Sequence, residues 1–286
     1  ISNFAILSLE RKYTKPNLVQ AVSIDIQKGR HPVVEESLKK EGQEFTPNDC
    51  VMDGKNNTWI MTGPNMAGKS TFLRQIAIIV ILNQIGCFVP TSSANLSIFD
   101  KIFTRIGASD NLSEGLSTFM TEMIETSRII DGATNSSLVI LDELGRGTST
   151  EDGLAISRAV LEFIIQKIKC ITLFATHFKE ICQLEKKYDE IKLKTLAIKR
   201  WNDEIIFLYK VVDGVSEGSF GIHVANLAGI NNSILSRAKE ILKQVKQDEN
   251  FVLLNEKDVN FDEKDAQEFN EIVDEIKKLD LDNLSP

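Results

Sequence analysis

Gly63-Pro64-Asn65-Met66-Ala67-Gly68-Lys69-Ser70 follows the pattern G-x-x-x-x-G-K-[ST], with Thr71 next in line. In such a segment, successive backbone N–H groups and the N-terminus of the following helix surround an anion. Glycines let the backbone curl close to phosphate oxygens. Lys69 then reaches the β and γ phosphates of a nucleotide, and the Ser70 hydroxyl coordinates Mg²⁺. Downstream, Leu138-Val139-Ile140-Leu141 runs into Asp142-Glu143. Apolar residues closed by two carboxylates describe a central parallel strand whose C-terminal end delivers acids to a ligand crevice. Asp142 suits the Mg²⁺ shell, and Glu143 suits polarising a water for attack on a γ phosphate. His177, one of three histidines, follows the apolar run 170–174. It is expected on the same rim, where it can sense that phosphate; a lone histidine has weak specificity by itself.

Two further segments carry hydroxyls. Ser117-Thr118-Phe119-Met120-Thr121-Glu122 precedes an amphipathic stretch. Ser117 or Thr118 reads as an N-cap, with Glu122 near the positive end of the helix dipole. Gly145-Arg146-Gly147-Thr148-Ser149-Thr150 follows the acid pair and leads into a helix; its position makes it a candidate subunit contact.

The elements that must position these groups alternate. Thr58–Met61 reads as a compact strand, Lys69 to about Ile85 as a deeply buried helix, and Ser137–Leu141 as a second strand. An amphipathic helix is expected over 153–169, a strand over 170–174, and an edge strand over 205–212. Strands alternating with helices predict an α/β fold with a mostly parallel sheet covered on both faces. Before residue 58, a short helical face (Phe4, Ile6, Leu7), a strand through Val22, Ile24 and Ile26, and an element from Val33 to Leu38 are expected, separated by turns at Thr14–Asn17 and Gly29–Pro32 and followed by one at Pro47–Asp49.

The chain has 286 residues, 42% of them hydrophobic and 26% charged, which suits a globular protein with a sizeable core. No apolar run approaches the roughly 20 residues that cross a bilayer. The chain begins with Ile1 and shows no leader pattern, so a piece of a longer intracellular protein is expected. Its four cysteines lie far apart without a CxxC pair, which argues for reduced thiols rather than zinc or disulfides. The net charge of −8 is local: residues 248–286 hold 13 acidic and four basic residues, leaving the remainder nearly balanced at +1. Composition therefore neither supports nor forbids a nucleic-acid partner.

GPNMAGKST, STFMTEM, LVILDELGRGTST and FATHF, in this order and spacing, resemble the ATPase domain of the MutS DNA mismatch-repair family. GRHPVVE before them and SFGIHVANLAGI after them strengthen the likeness, which covers about residues 1–247. The tail resembles the bacterial branch, with the start of its C-terminal helical segment. The resemblance implies an ABC-type P-loop ATPase, a dimer of composite sites that uses ATP and Mg²⁺. It implies four regions: 1–29 as the end of a preceding core or lever region, 30–217 as the ATPase domain, 218–247 as a helix-turn-helix that grips the other subunit, and 248–286 as an acidic linker and shortened helical tail. Residue by residue, it makes Gly63 to Thr71 the phosphate loop, Ser70 and Asp142 the metal supports, Glu143 the catalytic carboxylate and His177 the switch histidine. Ser117 falls where the family places a serine that reaches the partner's γ phosphate. Gly145 to Ser149 would link the two sites, and Phe45 and Tyr209 would sandwich the adenine. Ala67 stands where glycine is frequent.

The same likeness implies mismatched double-stranded DNA as partner through N-terminal domains bearing a Phe-x-Glu wedge, a homodimer, a MutL-type repair partner and a bacterial cytoplasmic location, with no membrane. A recombination-type relative, a transporter motor or chromosome-maintenance head, a non-catalytic dimerisation module and a small-molecule kinase are the competing readings. Ser117-Thr118-Phe119 stands where transporter motors carry Leu-Ser-Gly-Gly-Gln, and the intact Lys69, Ser70, Asp142 and Glu143 argue against a non-catalytic module.

Overall fold

A computed structural model describes residues 2–107, 117–201, 204–216 and 220–248. The expected acidic linker and tail, from 249 onward, and residues 218–219 at the start of the expected dimerisation segment lie outside the described residues. Residues 1–239 form one compact unit; of a second, 240–286, only the end of the last helix is described.

The fold is mixed α/β, with two sheets flanked by helices. Six strands make the larger sheet: β4 (Thr58–Thr62), β6 (Ile102–Ile106), β7 (Leu138–Asp142), β8 (Ile171–Ala175), β9 (Ile191–Trp201) and β10 (Glu204–Asp213), in the order β10-β9-β4-β8-β7-β6. All neighbours are parallel except β9 and β10. Every residue of β4, β7 and β8 is buried, as a parallel strand covered on both faces requires. On β7, Leu138 and Ile140 join one core with α3 (Lys69–Gln84), while Val139 and Leu141 join another with α5 (Thr150–Phe163). Each such side chain adds about 1.5–3 kcal/mol by burial, so the strand carrying the acid pair is anchored from both sides.

A smaller sheet has the order β1-β5-β2-β3, from β1 (Asn17–Leu18), β2 (Ile24–Gly29), β3 (Asn48–Met52) and β5 (Ser93–Leu96). Ile24, Ile26 and Met52 pack with Phe72, Leu73 and Ile76 of α3. The sequence signals β2 but not β5, whose Ser-Ala-Asn-Leu has no strand pattern. It also hides β9, where Lys192, Lys194 and Lys199 interrupt the apolar run, although its partner β10 sits at the sheet edge as expected.

The element at Val33–Leu38 is helix α2 (Pro32–Lys40), capped by His31, whose Nδ1 accepts from Val34 N at 3.3 Å. Helix α1 (Ser2–Glu10) leaves Phe4, Ile6 and Leu9 exposed. The expected 153–169 helix starts earlier, because the Ser149 hydroxyl accepts from Asp152 N (3.2 Å) and so caps Thr150. It ends earlier too, in a wide π turn over Ile164–Ile168 closed by Lys169 at φ 59. Helices α6 (Gly221–Leu227) and α7 (Asn232–Asp248) follow, joined through Gly229 at φ 81. Among the described residues, no helix is long and apolar enough to cross a membrane.

Candidate functional site

Sheet register brings three strand ends level. Met61 of β4 and Asp142 of β7 both pair with Ala175 of β8, and the pairing continues past the strands through Thr176 N to Met61 O (2.9 Å) and Glu143 N to Ala175 O (2.8 Å). The segments after β4, β7 and β8 therefore leave the sheet side by side. They carry the 63–70 loop, Asp142-Glu143 and His177.

The loop turns at Gly63 (φ 137), makes a 3-10 turn over Asn65–Ala67 with Pro64 as its cap, and enters α3 through Gly68 (φ 100). These left-handed values are open to glycine, so the two motif glycines are explained by backbone shape. Ala67 is buried at 1% exposure, so the residue that departs from the frequent glycine is accommodated. Met66 is exposed. With Gly68 as its first boundary, α3 begins directly after the curl of the loop, and a helix N-terminus so placed can receive an anion.

Lys69 is almost wholly buried, donates to Gly63 O and stands 3.9 Å from Glu143 Oε1. Burial lowers its pKa, against the pull of Glu143 and Asp142. Asp142, also buried, accepts from the Ser70 hydroxyl. Burial raises its pKa, partly offset by that hydrogen bond. Its Oδ1 has no hydrogen-bond partner among the described residues. A buried carboxylate oxygen beside a hydroxyl is the donor set of a hard cation such as Mg²⁺, so these residues fit that ion. Glu143 adopts φ 57 and pairs with Arg146. A non-glycine residue in that region costs about 1–3 kcal/mol and persists only where its surroundings enforce it.

Three chambers surround the loop. The acid chamber, about 460 Å³, is lined by Ser70, Arg74, Arg105, Asp142, Glu143 and Arg146. A second, about 470 Å³, lies along Gly63 and Pro64 and is lined by the exposed His177, with Ser216 and Phe220. Although its ring is solvent-accessible, partial desolvation by the surrounding wall lowers the His177 pKa, with Glu143 opposing, which favours a neutral ring. The third, about 310 Å³, brings Phe45 and Tyr209 together beside Gly68 and Thr71.

The structure does not bring Ser117 to this group. It caps α4 (Thr118–Gly132), accepting from Met120 N at 3.2 Å, while Thr118 and Glu122 of the same segment line the acid chamber. Glu122 is not a capping carboxylate. It is buried and accepts from Gly145 N at 2.9 Å, tying α4 to the loop after the acid pair.

Sequence reasoning takes Asn48 as part of a turn, yet it is the first residue of β3, and its amide donates to Tyr209 O (2.9 Å) and accepts from Val211 N (2.8 Å). Tyr209 adopts φ 54 inside a register shift between Phe207 and Val211. The Asn48 amide thus supplies the bonds that the β9–β10 ladder loses there, and it holds Tyr209 close to the segment that carries Phe45. Arg146 lies in the loop expected to be a subunit contact, and its pairing with Glu143 within the chain is not part of that expectation. No spacing rule signals either role.

Residues 59–246 match the family model described as MutS domain V. The chain is 52% identical over 240 residues to a DNA mismatch repair protein MutS of Rickettsia bellii (strain RML369-C), covering 84% of this chain and 27% of that protein. It is 45% identical over 293 residues to one from Orientia tsutsugamushi (strain Ikeda), covering 99% and 32%. A third, from Finegoldia magna (strain ATCC 29328 / DSM 20472 / WAL 2508), is 48% identical over 283 residues, covering 96% and 32%. The chain thus spans about a third of the length of these relatives. With its level strand ends, its glycine-shaped loop and a domain V match across most of its length, the chain belongs to the MutS family.

Proposed function

We propose that this chain is an ABC-type P-loop ATPase domain that binds ATP with Mg²⁺ along residues 63–71 and hydrolyses it at sites shared by two subunits. The observation that carries this reading is the convergence of Lys69, Ser70, Asp142 and Glu143 at the mouth of one glycine-shaped loop. The loop amides and Lys69 bind the phosphates. Ser70 and Asp142 hold Mg²⁺, which supplies charge neutralisation on the phosphates. Glu143, held beside Lys69, orients the attacking water and accepts its proton. His177 flanks Gly63 from the other side and reports on the γ phosphate. Phe45 and Tyr209 enclose the adenine.

Dimerisation through this domain and a helix-turn-helix formed by α6 and α7 is supported by Leu227, Ile230 and Ile234, all exposed on or between these helices. Ser117 is then the group that each subunit presents to its partner's γ phosphate. In the longer protein, nucleotide state would control clamping of mismatched DNA and engagement of a MutL-type partner in the bacterial cytoplasm. The names of the similar proteins support repair rather than recombination.

Glu143→Gln tests the assignment. The variant is expected to retain ATP binding and lose turnover by at least about a hundredfold, the usual scale of a lost general base. Unchanged steady-state hydrolysis would overturn it.

A further inference from the structure

Gln75 lies one turn beyond Thr71 on α3 and is fully buried. Both its amide oxygen and its amide nitrogen lack a hydrogen-bond partner among the described residues. Such a pair is costly, since each buried unmade bond forfeits the solvation of its group. A core position on an apolar helix would be better served by leucine, so the amide calls for an explanation.

Two features show that the position is built around this amide. Gln75 lines the same chamber as Phe45 and Tyr209. On its other side the amide packs against a glycine: a Cβ at Gly29 would stand 2.7 Å from Gln75 Nε2, 2.8 Å from Ile26 Cγ2 and 3.1 Å from Asn48 O. A side chain at 29 would therefore crowd the amide and the wall beside it. Asn48, whose own amide holds Tyr209, borders that pocket as well. The two faces of a planar ligand would meet Phe45 and Tyr209, and its edge would meet polar groups of the wall.

We propose that Gln75 is the specificity-determining residue of the base chamber and reads the edge of adenine, an inference that rests on the nucleotide reading given above. An amide offers one acceptor and one adjacent pair of donors. Adenine offers the complement: its N6 amino group donates, and the ring nitrogen on either side, N1 or N7, accepts. Gln75 Oε1 accepts from N6, and Nε2 donates to that ring nitrogen, the pairing by which glutamine reads adenine elsewhere. The amide, whose Nε2 stands at the Gly29 position in this structure, turns about its side-chain torsions to meet the base in this proposal.

The test is a set of equilibrium binding measurements on the purified chain with Mg²⁺, using ATP, 7-deaza-ATP and 1-deaza-ATP as probes. Each analogue replaces one ring nitrogen with C–H and leaves the phosphates unchanged. At least one analogue is expected to bind the unsubstituted chain about tenfold more weakly than ATP, the scale of one lost specific contact. In Gln75→Leu that gap is expected to shrink to within about twofold, while the thermal midpoint is unchanged or raised. Two analogues binding as tightly as ATP, or a gap that persists undiminished in Gln75→Leu, would overturn the proposal. A Gln75→Leu midpoint well below that of the parent chain would do the same, since it would make the amide structural. Failure of Gln75→Leu to fold would overturn it on the same ground, and the analogue series on the unsubstituted chain shows separately whether any group reads N1 or N7. Absence of ATP binding to that chain would instead defeat the nucleotide reading itself.

Discussion

Asp142 and Glu143 are neighbours with opposite tasks, and their surroundings separate them. Asp142 is buried with one oxygen lacking a partner among the described residues, whereas Glu143 is turned by a left-handed backbone towards Lys69 and Arg146. Because burial raises the Asp142 pKa in the fold, the folded protein holds that proton more tightly than the unfolded chain does. The group therefore favours folding below the usual carboxylate value near 3.9 and costs stability once pH rises through its folded pKa. Asp142→Asn is expected to be more stable than the parent at neutral pH and to lose that advantage in acid. A gain of about 1 kcal/mol would raise the calorimetric midpoint by roughly 2–4 °C, while Mg²⁺-dependent nucleotide binding weakens. A lower midpoint at neutral pH would contradict the account. These carboxylates were legible in the sequence because a phosphate-loop pattern precedes them; an apolar strand ending in acids is by itself more often one whose acids are merely solvated. Asn48 and Gln75 were not, since an asparagine beside a proline looks like a turn and a glutamine inside a helix looks like surface.

At the scale of elements, the acid pair is coupled to α4 through one buried bond. Glu122 accepts from Gly145 N, and Gly145 adopts φ 82 where a Cβ would stand 2.4 Å from Gly153 O. The loop after β7 is thereby pressed against the start of α5 and tied to the helix that Ser117 caps. Removing the carboxylate leaves the Gly145 N–H unpaired, so Glu122→Ala should lose about 1–3 kcal/mol of stability and slow turnover more than it weakens ATP binding. Glu122→Gln retains an acceptor and should recover most of both. Urea denaturation with steady-state kinetics checks this, and equal behaviour of the two variants would contradict it. The parallel core was readable from its unbroken apolar strands. The smaller sheet was not, because β5 is four residues of ordinary polarity and pairs with β2 across more than sixty residues of chain. Such pairing depends on tertiary context rather than on local pattern.

For the whole molecule, the proposed site is completed by residues from two chains. Ser117 is not among the residues lining the acid chamber of its own subunit, although Thr118 is, and Leu227, Ile230 and Ile234 are exposed. Hydrolysis per chain should therefore rise with protein concentration until the dimer saturates. A specific rate that stays constant on dilution, with sedimentation showing monomer throughout, would contradict shared sites. Everything depends first on the loop that follows β4. Titration calorimetry of the folded chain with ATP and Mg²⁺ measures that directly. The account predicts saturable binding of one nucleotide per chain, lost in Lys69→Ala; a folded parent chain that shows no affinity for ATP, or binding undiminished in Lys69→Ala, would contradict it.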